Sequence, residues 1–217
     1  MNTNSQITKE LVPIPDFSAY VRDFLLEESL ISGIKCSKEQ LENADFYKME
    51  MQNCLFENCA LRNCDFENAS FVDVVFQNCD LSNSKFTGAY FERCRFVSCK
   101  CIGIDMNETI LKQTVLEKSK VQYSNFNKAK LTEVSFDHID FTESSMAECK
   151  LKKFTANQSK FVKNNFFKTM LAAVDFTENE FVAPIVSTPP VELKGAIINM
   201  FQAADLIGLW GITVKYK

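Results

Sequence analysis

Residues 64–98 read CDFENASFVDVVFQNCDLSNSKFTGAYFERCRFVS, and a large apolar residue returns at every fifth position: Phe66, Phe71, Phe76, Leu81, Phe86, Phe91 and Phe96. A period of five fits neither an α-helix, with about 3.6 residues per turn, nor a strand, with about two. Working outward, the register starts at Leu41, passes Phe46, Met51, Phe56 and Leu61, and continues beyond residue 98 without a gap to Phe181. It covers 29 consecutive positions, all of them apolar. With 46% apolar residues, chance would give such a run at about 10⁻¹⁰, so the period reflects the fold.

Two residues before each of these centres the side chain is usually small, as at Ala44, Cys54, Cys59, Cys64, Ala69, Cys79, Ser84, Ala89, Cys94 and Cys99. Large and small residues both point inward, while the Asp, Glu, Lys, Gln and Asn between them face water. Two residues after the centre stands Asn at 43, 53, 58, 63, 68, 78 and 83, then Gly88. Asn and Gly tolerate the left-handed backbone of a tight corner. A corner after every five residues closes a square after four sides, so the structural repeat is about 20 residues. Stacked at the strand spacing of ~4.8 Å, seven coils make a rod of roughly 35 Å. The sequence thus predicts an all-β fold: a right-handed quadrilateral parallel β-helix with a short C-terminal helix and a small N-terminal cap. Its interior is filled by the centres and the small residues, leaving no room for a ligand or a pore.

The alternation is broken at Met49, Ile104 and Phe154, which are bulky where small residues belong. Phe154 is compensated by Ala156 at the following centre, and a local kink is expected there. No insertion interrupts 41–181, so no loop should project from the rod. Around PIVSTPP, 184–190, the register slips by two residues and resumes with Leu193 and Ile198 as centres. MFQAADLIGLWG then reads as a helix stopped by Gly211, and ITVKYK as a final strand. Upstream, PDFSAYVRDFLLEESL carries Phe17, Tyr20, Val21, Phe24 and Leu25 at helical spacing behind Pro15-Asp16, and SLISG already resembles one repeat. The expected organisation is a cap over 1–35, the β-helix over 36–183, and a tail of loop, final repeats, helix and strand over 184–217.

Composition narrows the function. A formal charge of −4 and a pI near 5.2 argue against direct binding of nucleic acid or anionic membrane. MNTNSQITKE lacks the basic and apolar segments of a secretory signal, and no apolar run reaches the length of a membrane span, so a cytoplasmic location is expected. The nine cysteines are odd in number and read as reduced thiols. Cys54, Cys59 and Cys64 fall on successive walls, whereas Cys59, Cys79 and Cys99 stack on one; neither set converges as zinc requires. His138 has no nucleophile motif beside it. No metal, cofactor or catalytic residue is therefore expected, and the chain reads as a non-enzyme whose outer walls do the work. One wall gathers Glu57, Glu117, Asp137, Asp175 and Glu178 against Arg95 and Lys118. Another carries Glu50, Asp73, Glu92 and Glu133 against Arg93, Lys112, Lys130, Lys150, Lys152 and Lys153.

The units ENADF, NCDFEN, NCDLSN and SKFTG resemble the pentapeptide-repeat family. In the tail, Phe201, Gln202, Ala203, Gly211, Ile212 and Val214 are similar to the end of its Qnr-type quinolone-resistance group. That resemblance implies a homodimer joined through Phe201, Leu206, Leu209, Trp210 and Ile212. It also implies a rod that mimics duplex DNA, binds DNA gyrase or topoisomerase IV, and protects them from quinolones. The acidic wall would then be the partner-binding surface. The same fold would equally serve a non-catalytic scaffold for an unrelated protein partner.

Overall fold

The computed structural model describes residues 10–27 and 29–215, with the side chains of 23–27 outside that description. The expectations on residues 1–9, on Phe24 and Leu25 and on the last two residues fall outside it. Between Ile31 and Asn165 the parallel ladder joins residues twenty places apart, as in Met51↔Phe71, Phe71↔Phe91 and Leu111↔Leu131. Four sides of five residues close each coil, and about eight coils stack into a right-handed quadrilateral β-helix. We number the walls by their centres: wall I holds Met51, Phe71 and Phe91, wall II Phe56, Phe76 and Phe96, wall III Leu61, Leu81 and Cys101, wall IV Phe66, Phe86 and Met106. Two eight-residue strands, Glu50–Glu57 and Ser70–Gln77, run through the corner that joins walls I and II.

Every centre from Phe46 to Phe181 is buried except Leu151 and Ala156. In the first half the phenylalanines stack at the spacing of the coils: Phe66 on Phe86 at 4.8 Å and 5°, Phe71 on Phe91 at 4.8 Å and 10°, Phe76 on Phe96 at 5.0 Å and 16°. The backbone ladder, rather than any preference of the rings, sets these near-parallel stacks.

The left-handed corner is more regular than the sequence suggested. Each fifth residue from Gly33 to Ala183, except Glu178, has a positive φ, including Arg93, Lys118, Tyr123, His138 and Lys153. The first half places Asn or Gly at most of these corners, whereas the second half forces ordinary residues into a conformation costing roughly 1 kcal/mol or more each. The ladder therefore dictates the corner, and Asn only eases it.

The small inward residues are hydrogen-bonding groups as well as filler. The Cys64 N–H donates to Ser84 Oγ at 3.0 Å, and that hydroxyl donates to the Leu61 carbonyl at 2.7 Å. Ser144, three coils further along the same wall, bridges the Ser124 N–H and the Val121 carbonyl in the same way, at 3.0 and 2.7 Å. Cys79, Cys94 and Cys99 donate more weakly to the carbonyls of Phe56, Phe71 and Phe76 at 3.3–3.4 Å. A small donor in one coil thus satisfies the corner of the coil before it, as buried backbone requires.

Both ends are closed. Helix α1, Phe17–Glu27, begins with Asp16 Oδ1 accepting from the Ala19 N–H, and sets Phe17 on Phe46 and Phe56 at 5.6 and 5.1 Å. At the far end the predicted two-residue slip is present: Leu171 N–H donates to Glu192 and Phe176 N–H to Ile197, where earlier coils reach two residues less. Helix α2, Met200–Leu206, follows, capped by Asn199 in a capping box with Gln202. The expected final strand does not form over the described part of that segment: Ile212–Lys215 has no ladder partner.

The kink at Phe154 is an open seam. Elsewhere the ladder makes bonds such as Lys150 N–H to Ala129 and Met106 N–H to Asn125, but residues 150–158 and 170–178 share no backbone bond. Phe154 packs edge-on against Phe136 at 5.0 Å and, with Ala156, lines the groove that separates the two coils there. The Asn179 side chain partly replaces the ladder, donating to the Ala156 and Asp175 carbonyls at 3.1 and 3.3 Å.

Candidate functional site: the outer walls and the C-terminal ledge

The described residues hold no cluster of His, Cys, Asp or Glu able to bind a metal ion, and all nine cysteines are free and buried. Burial pushes the thiols of Cys94 and Cys149 up to about 12, so they stay protonated and inert near neutrality. His138 lies exposed at a corner, its Nδ1 2.9 Å from Asp137 Oδ1. No described helix is long and apolar enough to cross a membrane.

The five predicted acidic residues do share wall II, but not as one field. Glu117 and Asp137 are ladder neighbours, and Glu57 lies in the same column toward the N-terminus. Asp175 and Glu178 stand beyond the seam, on the lip of a groove of about 240 Å³ that Phe154, Ala156 and Asn157 also line. Most of these charges are answered locally. Glu57 pairs with Lys35 at 3.1 Å, and Glu117 with Arg95 and Lys118 at 3.0 and 3.2 Å. Burial raises the Asp137 carboxyl, but the Asn157 amide and His138 outweigh it and hold the group below its ordinary value. Lys35 was missed in the sequence because it precedes the regular register.

At the C-terminus the apolar tail divides in two. Phe201 is 76% exposed, Trp210 51% and Ile212 52%, with Met200 and Val214 beside them. These side chains form an apolar ledge on α2 and the turn after it. Leu206, expected at the same surface, is instead buried and closes the last coil, and Leu209 packs against the core. The reason is helical geometry: Gln202 and Leu206 lie four apart on the inward face. Gln202 donates to the Phe176 and Asn179 carbonyls at 2.8 and 2.7 Å, satisfying backbone that an open coil would leave bare. Glu192 is a second plug that the sequence reading missed. Its buried carboxylate accepts from the Lys168 and Ser187 N–H groups and the Ser187 hydroxyl, at 2.8, 3.0 and 2.6 Å. Gln202 lies beyond the five-residue period, and Glu192 falls just before the resumed centre Leu193, at a position the period assigns to solvent, so no periodic signal marked either as inward.

Among solved structures, the chain is similar to QnrB1, a plasmid-mediated fluoroquinolone resistance protein, at 17% identity and a TM-score of 0.48, covering 82% of this chain and 100% of that one. It is also similar to HetL, a pentapeptide repeat protein involved in heterocyst differentiation regulation from the cyanobacterium Nostoc sp. strain PCC 7120. There the identity is 15% and the TM-score 0.38, covering 78% and 89%. No curated protein matches the chain. The pentapeptide repeat region pattern matches residues 34–100 and 89–166, the same stretch in which every fifth side chain fills the rod. With well over half its length in that pattern, the chain belongs to the pentapeptide-repeat family.

Proposed function

We propose that this protein acts by binding rather than catalysis, as a homodimeric rod that occupies the DNA-binding surface of gyrase or topoisomerase IV and protects the enzyme from quinolones. The observation that carries the reading is the C-terminal ledge. Its sequence resembles the Qnr-type tail, and it leaves Phe201, Trp210 and Ile212 in water on a segment with little core of its own. A two-fold contact between two such ledges would cover them and double the length of the rod. Wall II would then present Glu57, Glu117 and Asp137 along each half toward a basic saddle. Because Lys35, Arg95 and Lys118 answer much of that charge, attraction is moderate, and contact depends on salt less steeply than duplex binding does.

The test is supercoiling by purified gyrase inhibited with ciprofloxacin. Added protein should restore activity at micromolar concentration, and a Glu117→Lys/Asp137→Lys double variant should restore it less well. A dimer that neither rescues supercoiling nor binds gyrase at low salt would remove the topoisomerase reading and leave a scaffold for another protein.

A further inference from the structure

Along the rod, five pairs of residues twenty apart join opposite charges: Asp73 with Arg93, Asp80 with Lys100, Glu108 with Lys128, Glu133 with Lys153 and Glu143 with Lys163. The two lysine columns beside the centres of wall I depart from this pattern, though its corner pairs Asp73–Arg93 and Glu133–Lys153 keep it. Lys130 stacks directly on Lys150 in the ladder, and Lys112, Thr132 and Lys152 form the next column. All four lysines are exposed, and none is in an ion pair among the described residues. Lys112 reaches the hydroxyl of Tyr90 at 3.2 Å and lies over its ring at 5.1 Å, meeting no carboxylate. The nearby carboxylates are engaged elsewhere, Glu133 with Lys153 and Glu92 with Arg93. Like charges stacked at strand spacing are destabilising, so this stripe lacks the compensation found elsewhere.

The second observation is the seam. Strand Lys150–Lys152 pairs with Lys130–Thr132 on one side only, and its other edge has no ladder partner. Leu151, the centre between the two lysines, is partly exposed. A strand edge whose ladder bonds are unmade, with an apolar centre and a lysine on either side, is a template for an extended segment. Lys150 and Lys152 stand about 6.6 Å apart along the strand, the spacing of alternate residues in an extended peptide.

We propose that wall I, at Lys112, Lys130, Lys150 and Lys152, is a docking surface for an extended acidic segment of a protein partner. Carboxylates at alternate positions would meet the two lysine columns, and an apolar residue between them would cover Leu151. This surface is separate from the acidic wall and stands apart from the topoisomerase reading.

Fluorescence anisotropy with the full chain and a fluorescein-labelled peptide of alternating Glu and Val tests the assignment. Saturable binding that weakens with added salt is expected. Lys130→Glu/Lys150→Glu should weaken it at least tenfold, whereas Lys100→Glu/Lys120→Glu, the same charge change on wall III, should leave it within about twofold. Circular dichroism of both variants confirms that they are folded. The proposal is overturned by an absence of saturable binding at low salt, or by equal losses in the two variants. It is equally overturned if duplex DNA or polyphosphate binds more tightly than the peptide.

Discussion

Single inward side chains in this protein have two tasks, filling the rod and completing the corners of the neighbouring coil. Ser144 is the clearest case, since it alone joins the buried Ser124 N–H and the Val121 carbonyl. Ser144→Ala should cost about 1–3 kcal/mol in urea unfolding, because both groups lose their partner, and Ser144→Cys should cost less, since thiols hold equivalent positions. Glu192 gives a pH-dependent counterpart. Burial alone would raise its carboxyl, but the Ser187 hydroxyl and the Lys168 and Ser187 N–H groups hold it below the ordinary value. Its stabilisation is therefore complete above the unfolded value of about 4.3 and is lost as pH falls through the lower folded value. Unfolding midpoints measured from roughly pH 6 to 3 should decline more steeply for the native chain than for Glu192→Gln.

At the scale of the element, the coil is the cooperative unit and the seam is its weakest joint. The N–H groups of Leu151, Lys153, Ala156 and Gln158 lack the ladder acceptors found one coil earlier, so they should exchange with deuterium faster than those of Leu131 and Phe136. The double exchange Phe154→Ala/Ala156→Phe restores the regular large and small pattern. It should close the seam, slow that exchange and raise the unfolding midpoint; unchanged exchange would mean that the two-residue slip near 190, and not the Phe154 ring, holds the coils apart. Helix α2 is held by the Asn199 capping box and by Gln202, while Met200 and Phe201 on its outer face are exposed. Trp210→Glu should leave the β-helix intact and shift the molar mass in light scattering from dimer to monomer.

For the whole molecule, rigidity follows from repetition. Each coil contacts only its neighbours, and the filled interior leaves binding to the walls and ends. The buried thiols report on that integrity. Cys79, Cys94 and Cys99 should react slowly with a thiol reagent in the native protein and rapidly in denaturant. Rapid native labelling would contradict the closed core.

The sequence by itself determined the coil. A five-residue period with alternating large and small side chains admits one packing, so the register, the two-residue slip before Leu193 and the helix after Ile198 were all legible. The kink was legible too, because Phe154 and Ala156 invert the pattern in place. What only the tertiary structure decided lies across coils or beyond the period. Leu206 turned inward to cover the last coil, Gln202 and Glu192 satisfy backbone there, and Ile212–Lys215 pairs with no strand. The electrostatics of each wall belong to the same class. Whether Glu57 stands free or meets Lys35, and whether Lys130 meets a carboxylate or Lys150, depends on side chains about twenty residues apart, which only the stacking of coils brings together.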